Sequence, residues 1–137
     1  MTRILILSSN PSGDLKNLNR EIRDLKDALE RLNKFEVKDY LAVNYNELQT
    51  LIANNSPQFV HFCGHGAGAQ GLVFEDKNGE AQFANTETIA GIFETFSAEY
   101  DRSPINCVVL NACYSEIQAK AIVKHINYSG LRVNKVQ

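Results

Sequence analysis

The segment Phe59 to Cys63 (FVHFC), which runs into Gly64-His65-Gly66, decides the fold of this chain. It is short and largely apolar, as is typical of a central strand in a parallel sheet that is covered on both faces. Its polar ending predicts a loop that leaves the sheet at its carboxyl edge. We therefore expect this segment to be the middle of an α/β sheet with a functional loop behind it.

Strand and helix patterns alternate on both sides of this segment. Leucines and isoleucines recur at helical spacing between residues 18 and 32, which predicts an amphipathic helix. Asn-Gly at 78–79 is a strong hairpin signal between two short apolar runs. The prediction comprises strands over 3–8, 35–43, 59–63 and 107–110, helices over 18–32, 44–54, 86–96 and 115–126, and a hairpin over 71–85.

Four such strand–helix units predict an α/β fold, specifically a three-layer α/β/α sandwich. Right-handed crossovers give a mainly parallel sheet of about four strands in the order 2-1-3-4, with the small β-hairpin beside it. In the last helix we expect Ile117, Ala121, Ile122 and His125 to face inward. At 137 residues, with 44% apolar residues, the chain is predicted to form one globular domain rather than a disordered or low-complexity segment.

The charge, apolar runs and cysteine content indicate which partners and which cellular compartment the chain is suited to. A net charge of −2 and an isoelectric point near 5.9 provide no general attraction to nucleic acid or anionic membranes. The apolar runs are strand-sized, and the first ten residues lack the apolar core of a signal peptide, so we predict a cytoplasmic location. Three cysteines, an odd number without paired spacing, suit a reducing compartment.

Two reactive side chains follow neighbouring strands of the predicted sheet. His65 comes just past the third strand and Cys113 just past the fourth, and functional groups collect at the carboxyl ends of parallel strands. A thiol with a pKa near ~8.5 needs a basic neighbour and an electropositive setting to act as a nucleophile. His65 supplies the base, and the helix predicted to begin near Ser115 supplies partial positive charge. The pair predicts acyl transfer.

Glycines flank the histidine in this predicted site. We expect Gly64 and Gly66 to let the backbone bend sharply around His65. The backbone amides of Gly66 and Cys113 are candidate donors to the oxyanion that forms when a thiolate attacks a carbonyl.

The residues around the two candidates resemble known motifs. His61-Phe62-Cys63-Gly64-His65-Gly66 resembles the H-F-x-G-H-G histidine motif of the CHAT family of caspase-like proteases, and residues 108–115 (VVLNACYS) resemble its cysteine motif. The opening strand, residues 71–76 and residues 119–128 also fit, so the resemblance covers about residues 1–128. It implies a caspase-like fold of the hemoglobinase type, here only its first half.

The resemblance also implies an activity. CHAT proteins are similar to cysteine endopeptidases of the caspase, separase and gingipain clan, so His65 is the expected base and Cys113 the expected nucleophile. The implied substrate is a protein or peptide, the implied setting is bacterial signalling or defence, and no cofactor is expected. The resemblance further implies a truncated member of the family, with a domain over 1–128 that lacks the usual C-terminal half and a divergent tail over 129–137.

The sequence departs from related proteases at the predicted substrate pocket. Caspases place an arginine after the first strand, whereas this chain has no basic residue there before Lys16. Metacaspases place an acid two residues before the cysteine, where this chain has Asn111. Neither an aspartate-specific nor an arginine-specific pocket is predicted, and Asn111 remains the candidate pocket residue.

Other interpretations stay open. The strongest alternative is a catalytically incomplete interaction or regulatory module, which forms a homodimer or binds a completing protein partner through the open sheet edge or the last helix. A small-ligand-binding α/β domain is a weaker alternative. His61, Cys63 and His65 with Cys113 permit a zinc site, but structural zinc ligands usually come in spaced pairs, so no metal is predicted. Glu75, Asp76 and Glu80 are most simply a solvated loop, and Cys63, Cys107 and His61 most simply core residues.

Overall fold

The computed structural model describes residues 1–13, 15–97, 100–101, 104–113 and 116–124. Cys113, Glu116, Ala119 and Val123 are described by their backbone alone. Several predictions fall outside these residues: Ser115 as the start of the last helix, the inward His125, the domain limit at residue 128 and the tail over 129–137.

Strands and helices alternate along the described chain. The strands are β1 (Thr2–Ser8), β2 (Phe35–Tyr40), β3 (Phe59–Gly66), β4 (Leu72–Glu75), β5 (Ala81–Ala84) and β6 (Cys107–Cys113). The helices are α1 (Leu18–Arg31), α2 (Leu48–Asn55), α3 (Thr86–Thr95) and α4 (Glu116–Val123). Single 3-10 turns lie at Tyr45–Glu47 and Gly68–Gln70. None of the described helices has both the length and the apolarity needed to cross a membrane.

The sheet is parallel through its main strands, which lie side by side as β2-β1-β3-β6. This is the order that the sequence predicts for its four strands. The hairpin of β4 and β5 joins the carboxyl end of β3, where β4 runs antiparallel and pairs with His65 and Gly66. The pairing of β4 with β3 begins just beyond β1, whose last rung with β3 joins Ser8 and Cys63.

Apolar side chains cover both faces of the sheet and thereby produce the three predicted layers. One face carries the larger core, in which sheet residues such as Leu7, Phe62 and Leu110 pack with residues of α2, α3 and α4. On the opposite face, Ile6 and Cys63 pack against Leu18 and Ile22 of α1. Helices on both faces of a mainly parallel sheet confirm the α/β sandwich.

The second strand and the helix after it differ from their predicted bounds. The strand ends at Tyr40 rather than Val43, because Ala42 has a φ of +53°, which breaks the extended conformation. Val43 then donates from its backbone N to the carbonyl of Ser8 at 3.0 Å. Asn44 caps the 3-10 turn that precedes the helix, since its side chain accepts from the backbone N of Asn46 at 2.8 Å.

The inward face of α4 differs in part from the prediction. Ile117 was expected inside but is 48% exposed, whereas Ile122 is buried as predicted. The residue one turn before Ile122 is Gln118, and its side chain is completely buried. The apolar stripe is interrupted by a buried amide, so apolar spacing places Ile122 correctly but puts Ile117 inside and misses Gln118.

Candidate functional site

The candidate site lies at the end of the ladder between β3 and β6. The two strands pair in register from Phe59 and Cys107 to His65 and Cys113. Both candidates therefore lie in the last rung of the ladder, and the prediction that they come just past their strands is wrong. A ladder is made by main-chain N–H and C=O groups, so polar side chains do not end it.

Alternate residues of these strands form three successive rungs that share one sheet face. From the middle of the sheet toward its carboxyl edge, the rungs join His61 with Val109, Cys63 with Asn111, and His65 with Cys113. Neighbouring strands are separated by roughly 4.8 Å, so the backbone brings the positions of His65 and Cys113 side by side. The ladder thus brings together two residues that are 48 positions apart in the sequence.

The imidazole of His65 is partly buried and incompletely bonded. Its Nε2 atom is shielded from solvent and has no hydrogen-bond partner among the residues that the structure describes. Leaving a buried polar group unsatisfied costs about 1–3 kcal/mol. A hydrogen-bond partner at this nitrogen would remove that cost.

The glycines around His65 act differently from the prediction. Neither Gly64 nor Gly66 has a positive φ, so neither provides a sharp bend. A Cβ atom on Gly64 would lie 2.6 Å from the backbone oxygen of Ser9, so glycine is required there for close packing against the loop after β1. The reversal toward β4 comes later, at Gly71, where φ is +110° and a Cβ atom would collide with the backbone oxygen of Ala84.

The thiol of Cys63 lies one rung below the candidate pair and has the opposite character to a nucleophile. The residue is 3% exposed, and burial raises the pKa of its thiol to about 11, with a smaller opposing effect from a hydrogen bond with Asn111. Cys63 is therefore a protonated core residue near the site, as predicted. The side chain of Asn111, the candidate pocket residue, contacts this core thiol.

Of the other candidates, His61 is half-buried and Cys107 is buried. Burial lowers the pKa of His61, which favours a neutral imidazole at neutral pH. Cys107 is 2% exposed and therefore a core residue, as predicted. Among the described residues, no group of three His, Cys, Asp or Glu side chains converges in a way that could hold a metal ion.

The acidic residues of the hairpin serve the turn and its packing. Asp76 accepts from the backbone N of Asn78 at 2.8 Å and of Glu80 at 2.9 Å, which stabilises the Asn-Gly turn. Glu75 accepts from the backbone N of Asn10 at 2.9 Å. Both line an open cavity of about 730 Å³ between the hairpin and the start of α2, and His65 is not among its lining residues.

Gln118 connects the surroundings of the two candidates, and sequence reasoning missed it. Its Nε2 donates to the carbonyl oxygen of Gly68 at 2.8 Å and to Oγ1 of Thr86 at 2.7 Å. The available signal was its position one turn before the apolar Ile122 on the helix that follows Cys113. Neither bond follows from the sequence, because both partners are more than thirty residues away.

Comparison with known proteins gives two relatives of low identity. No model of a known protein family matches the sequence. The chain is 27% identical over 130 residues to a probable protease of Gillisia limnaea, a match that covers 92% of this chain and 22% of that protein. It is 26% identical over 134 residues to a Roc-COR-CHAT protease of an unknown prokaryotic organism, covering 92% of this chain and 12% of that protein.

These matches bear on the predicted family. The chain spans about a fifth or less of the length of the curated relatives. Both relatives are described as proteases, and one carries the CHAT name that the motifs around His65 and Cys113 suggest. At low identity, the chain is therefore similar to proteins of a protease or CHAT-related family.

Proposed function

We propose that this chain carries the His-Cys dyad of a cysteine endopeptidase, with His65 as the base and Cys113 as the nucleophile. The observation that carries the proposal is the last rung between β3 and β6, which joins the backbones of these two residues. The buried Nε2 of His65, without a partner among the described residues, supports it further. The proposed substrates are proteins or peptides, in a bacterial signalling or defence setting.

The proposed reaction follows from the chemistry of the two side chains. His65 takes the proton of the Cys113 thiol, and the thiolate attacks the carbonyl carbon of the peptide bond. The tetrahedral intermediate collapses as the C–N bond breaks, and the amine leaves with the proton from His65. Water, deprotonated by His65, then hydrolyses the thioester and restores the thiol.

The oxyanion of the intermediate also needs hydrogen-bond donors. The proposed donors are the backbone amides of Gly66 and Cys113, which adjoin the two reacting side chains along the backbone. To act, these N–H groups must turn away from the ladder of β3 and β6, which also takes up main-chain N–H groups at this rung. One such donor is typically worth about 3 kcal/mol of transition-state stabilisation.

The test is proteolysis by the purified chain. A library of denatured proteins is incubated with wild type, Cys113→Ala, His65→Ala and Cys63→Ala, and new N-termini are quantified by mass spectrometry. We expect the first two variants to lose at least roughly 100-fold in cleavage rate, the lower limit typical of a lost general base. Cys63→Ala is the matched control, because it removes a thiol one rung away, and it should cleave like wild type. Cleavage that survives Cys113→Ala contradicts the proposal, as does a wild type that cleaves nothing.

A second candidate function, an interaction module, is favoured by the sheet edge. Among the described residues, β6 pairs with β3 alone, and Ile117 on the following helix is exposed. Unpaired strand edges recruit further strands, so the alternative is self-association of two copies through β6. Sedimentation of Cys113→Ala over a wide concentration range tests it: a dimer is expected, and a monomer at every concentration contradicts it.

A further inference from the structure

Gln118 lies at a junction of three segments around the candidate site. It belongs to α4, the helix that follows the strand of Cys113. Its first partner, Gly68, comes three residues after His65 and begins the 3-10 turn at Gly68–Gln70. Its second partner, Thr86, is the first residue of α3. The side-chain amide of Gln118 thus links the helix that follows Cys113 in sequence to the loop that follows His65.

The burial of this amide indicates that its bonds are the reason for its presence. Gln118 is 0% exposed, and both hydrogens of its Nε2 are used in bonds of 2.7 and 2.8 Å. Its Oε1 is buried without a partner among the described residues. An apolar side chain of similar length avoids that unsatisfied oxygen, so packing alone does not favour glutamine at this position.

The ladder by itself leaves the site open at one end. It holds the backbones of His65 and Cys113 together, and this is its last rung among the described residues. The described chain continues after His65 into the 3-10 turn at Gly68–Gln70 and after Cys113 into α4. Beyond this rung, the hydrogen bond from Gln118 to Gly68 connects the segment after Cys113 with the segment after His65. The imidazole therefore lies on a segment that is fixed on both sides.

We propose that Gln118 is a positioning residue for the His65–Cys113 pair, acting through its hydrogen bond to the carbonyl of Gly68. The bond holds the loop after His65 at a fixed place relative to the helix after Cys113. This inference rests on the proposed function. The bond to Thr86 serves instead to attach the start of α3.

The two bonds provide a matched pair of variants. Gln118→Met keeps the length of the side chain and removes both donors, whereas Thr86→Val keeps the shape of its partner and removes the bond to α3 alone. A merely structural role predicts lower stability in both variants with unchanged chemistry at the site. A positioning role predicts that Gln118→Met alone changes the chemistry.

The experiment measures alkylation of Cys113 by iodoacetamide as a function of pH, mapped by mass spectrometry, well below the thermal midpoint of each variant. We expect Gln118→Met to lower the rate constant at neutral pH at least about tenfold and to shift the pH profile toward that of a free thiol, since small misplacements of reacting groups are costly. Thr86→Val should stay within about twofold of wild type. An unchanged pH profile in a folded Gln118→Met overturns the proposal.

Two further measurements test the proposal if the first experiment cannot be carried out or gives no reactive Cys113. If Gln118→Met does not fold, Gln118→Asn replaces it; this variant is one methylene shorter and is expected to show the same shift of the pH profile. If Cys113 of the wild type reacts no faster than a free thiol, the proposed function fails, and the ring resonances of His65 in NMR spectra then decide. Resonances that move in the Gln118 variant and not in Thr86→Val support positioning, and resonances that stay in place in both overturn it.

Discussion

The two faces of the ladder between β3 and β6 are built from alternate residues of the same strands, and they differ sharply. One face pairs Val60 with Val108 and Phe62 with Leu110, all at most 3% exposed within the larger core. The opposite face carries the polar rungs of Cys63 with Asn111 and of His65 with Cys113.

We expect this difference to separate residues that stabilise the fold from residues of the proposed chemistry within two short strands. The apolar face packs against three helices, so changes there should reduce the free energy of unfolding and leave the reactivity of Cys113 intact in the folded chain. Changes at the end of the polar face should alter the reactivity of Cys113 and leave the free energy of unfolding nearly unchanged. Single substitutions on either face test this separation.

The largest expected effect on stability is that of Phe62→Ala. Phe62 is 3% exposed, and its ring centroid lies 5.3 Å from that of Phe74. Removing a buried phenylalanine side chain costs about 3–5 kcal/mol, which urea unfolding measures directly. Alkylation of Cys113 in the folded baseline should keep the pH profile of wild type. A loss below about 1 kcal/mol, or a changed profile, breaks the separation of the two faces.

Gly64→Ala tests the close approach between β3 and the loop after β1. Because the added Cβ would lie 2.6 Å from the oxygen of Ser9, we expect a loss of about 1–3 kcal/mol. Gly91→Ala in α3 is the matched control, since no atom lies within 4 Å of its added Cβ. That control should raise stability by roughly 0.5–1 kcal/mol, as alanine favours helix. Equal effects at the two sites contradict the steric explanation.

A smaller effect comes from Cys63 at alkaline pH. Its pKa is about 11 in the folded chain against 9.0 for the ordinary thiol. Above pH 9.0 the unfolded thiol therefore ionises while the folded one stays protonated, so stability falls as pH rises toward about 11. Between pH 9.0 and one unit higher, wild type should lose about 1 kcal/mol more than Cys63→Ala. Parallel pH dependence of the two proteins in urea unfolding contradicts the burial of this thiol.

The sequence predicts the strand order and the layers because those depend on apolar runs and helical spacing. It misplaces the ends of β3 and β6, because main-chain pairing continues beneath polar side chains as far as His65 and Cys113. It places Ile117 on the inward face of α4 and misses Gln118, because the buried residue there is an amide with distant partners. The contact between Cys63 and Asn111 depends on the register of two strands, which a single sequence does not specify.

The central claim is that His65 and Cys113 form a working pair, and the most direct test is the titration of the Cys113 thiolate. The ultraviolet absorbance of the thiolate is recorded against pH for wild type and Cys113→Ala, and the difference isolates this residue from Cys63. The account predicts a midpoint well below the free-thiol value of about 8.5, with a return toward that value in His65→Ala. A midpoint at or above the free-thiol value, or one that His65→Ala does not move, contradicts it.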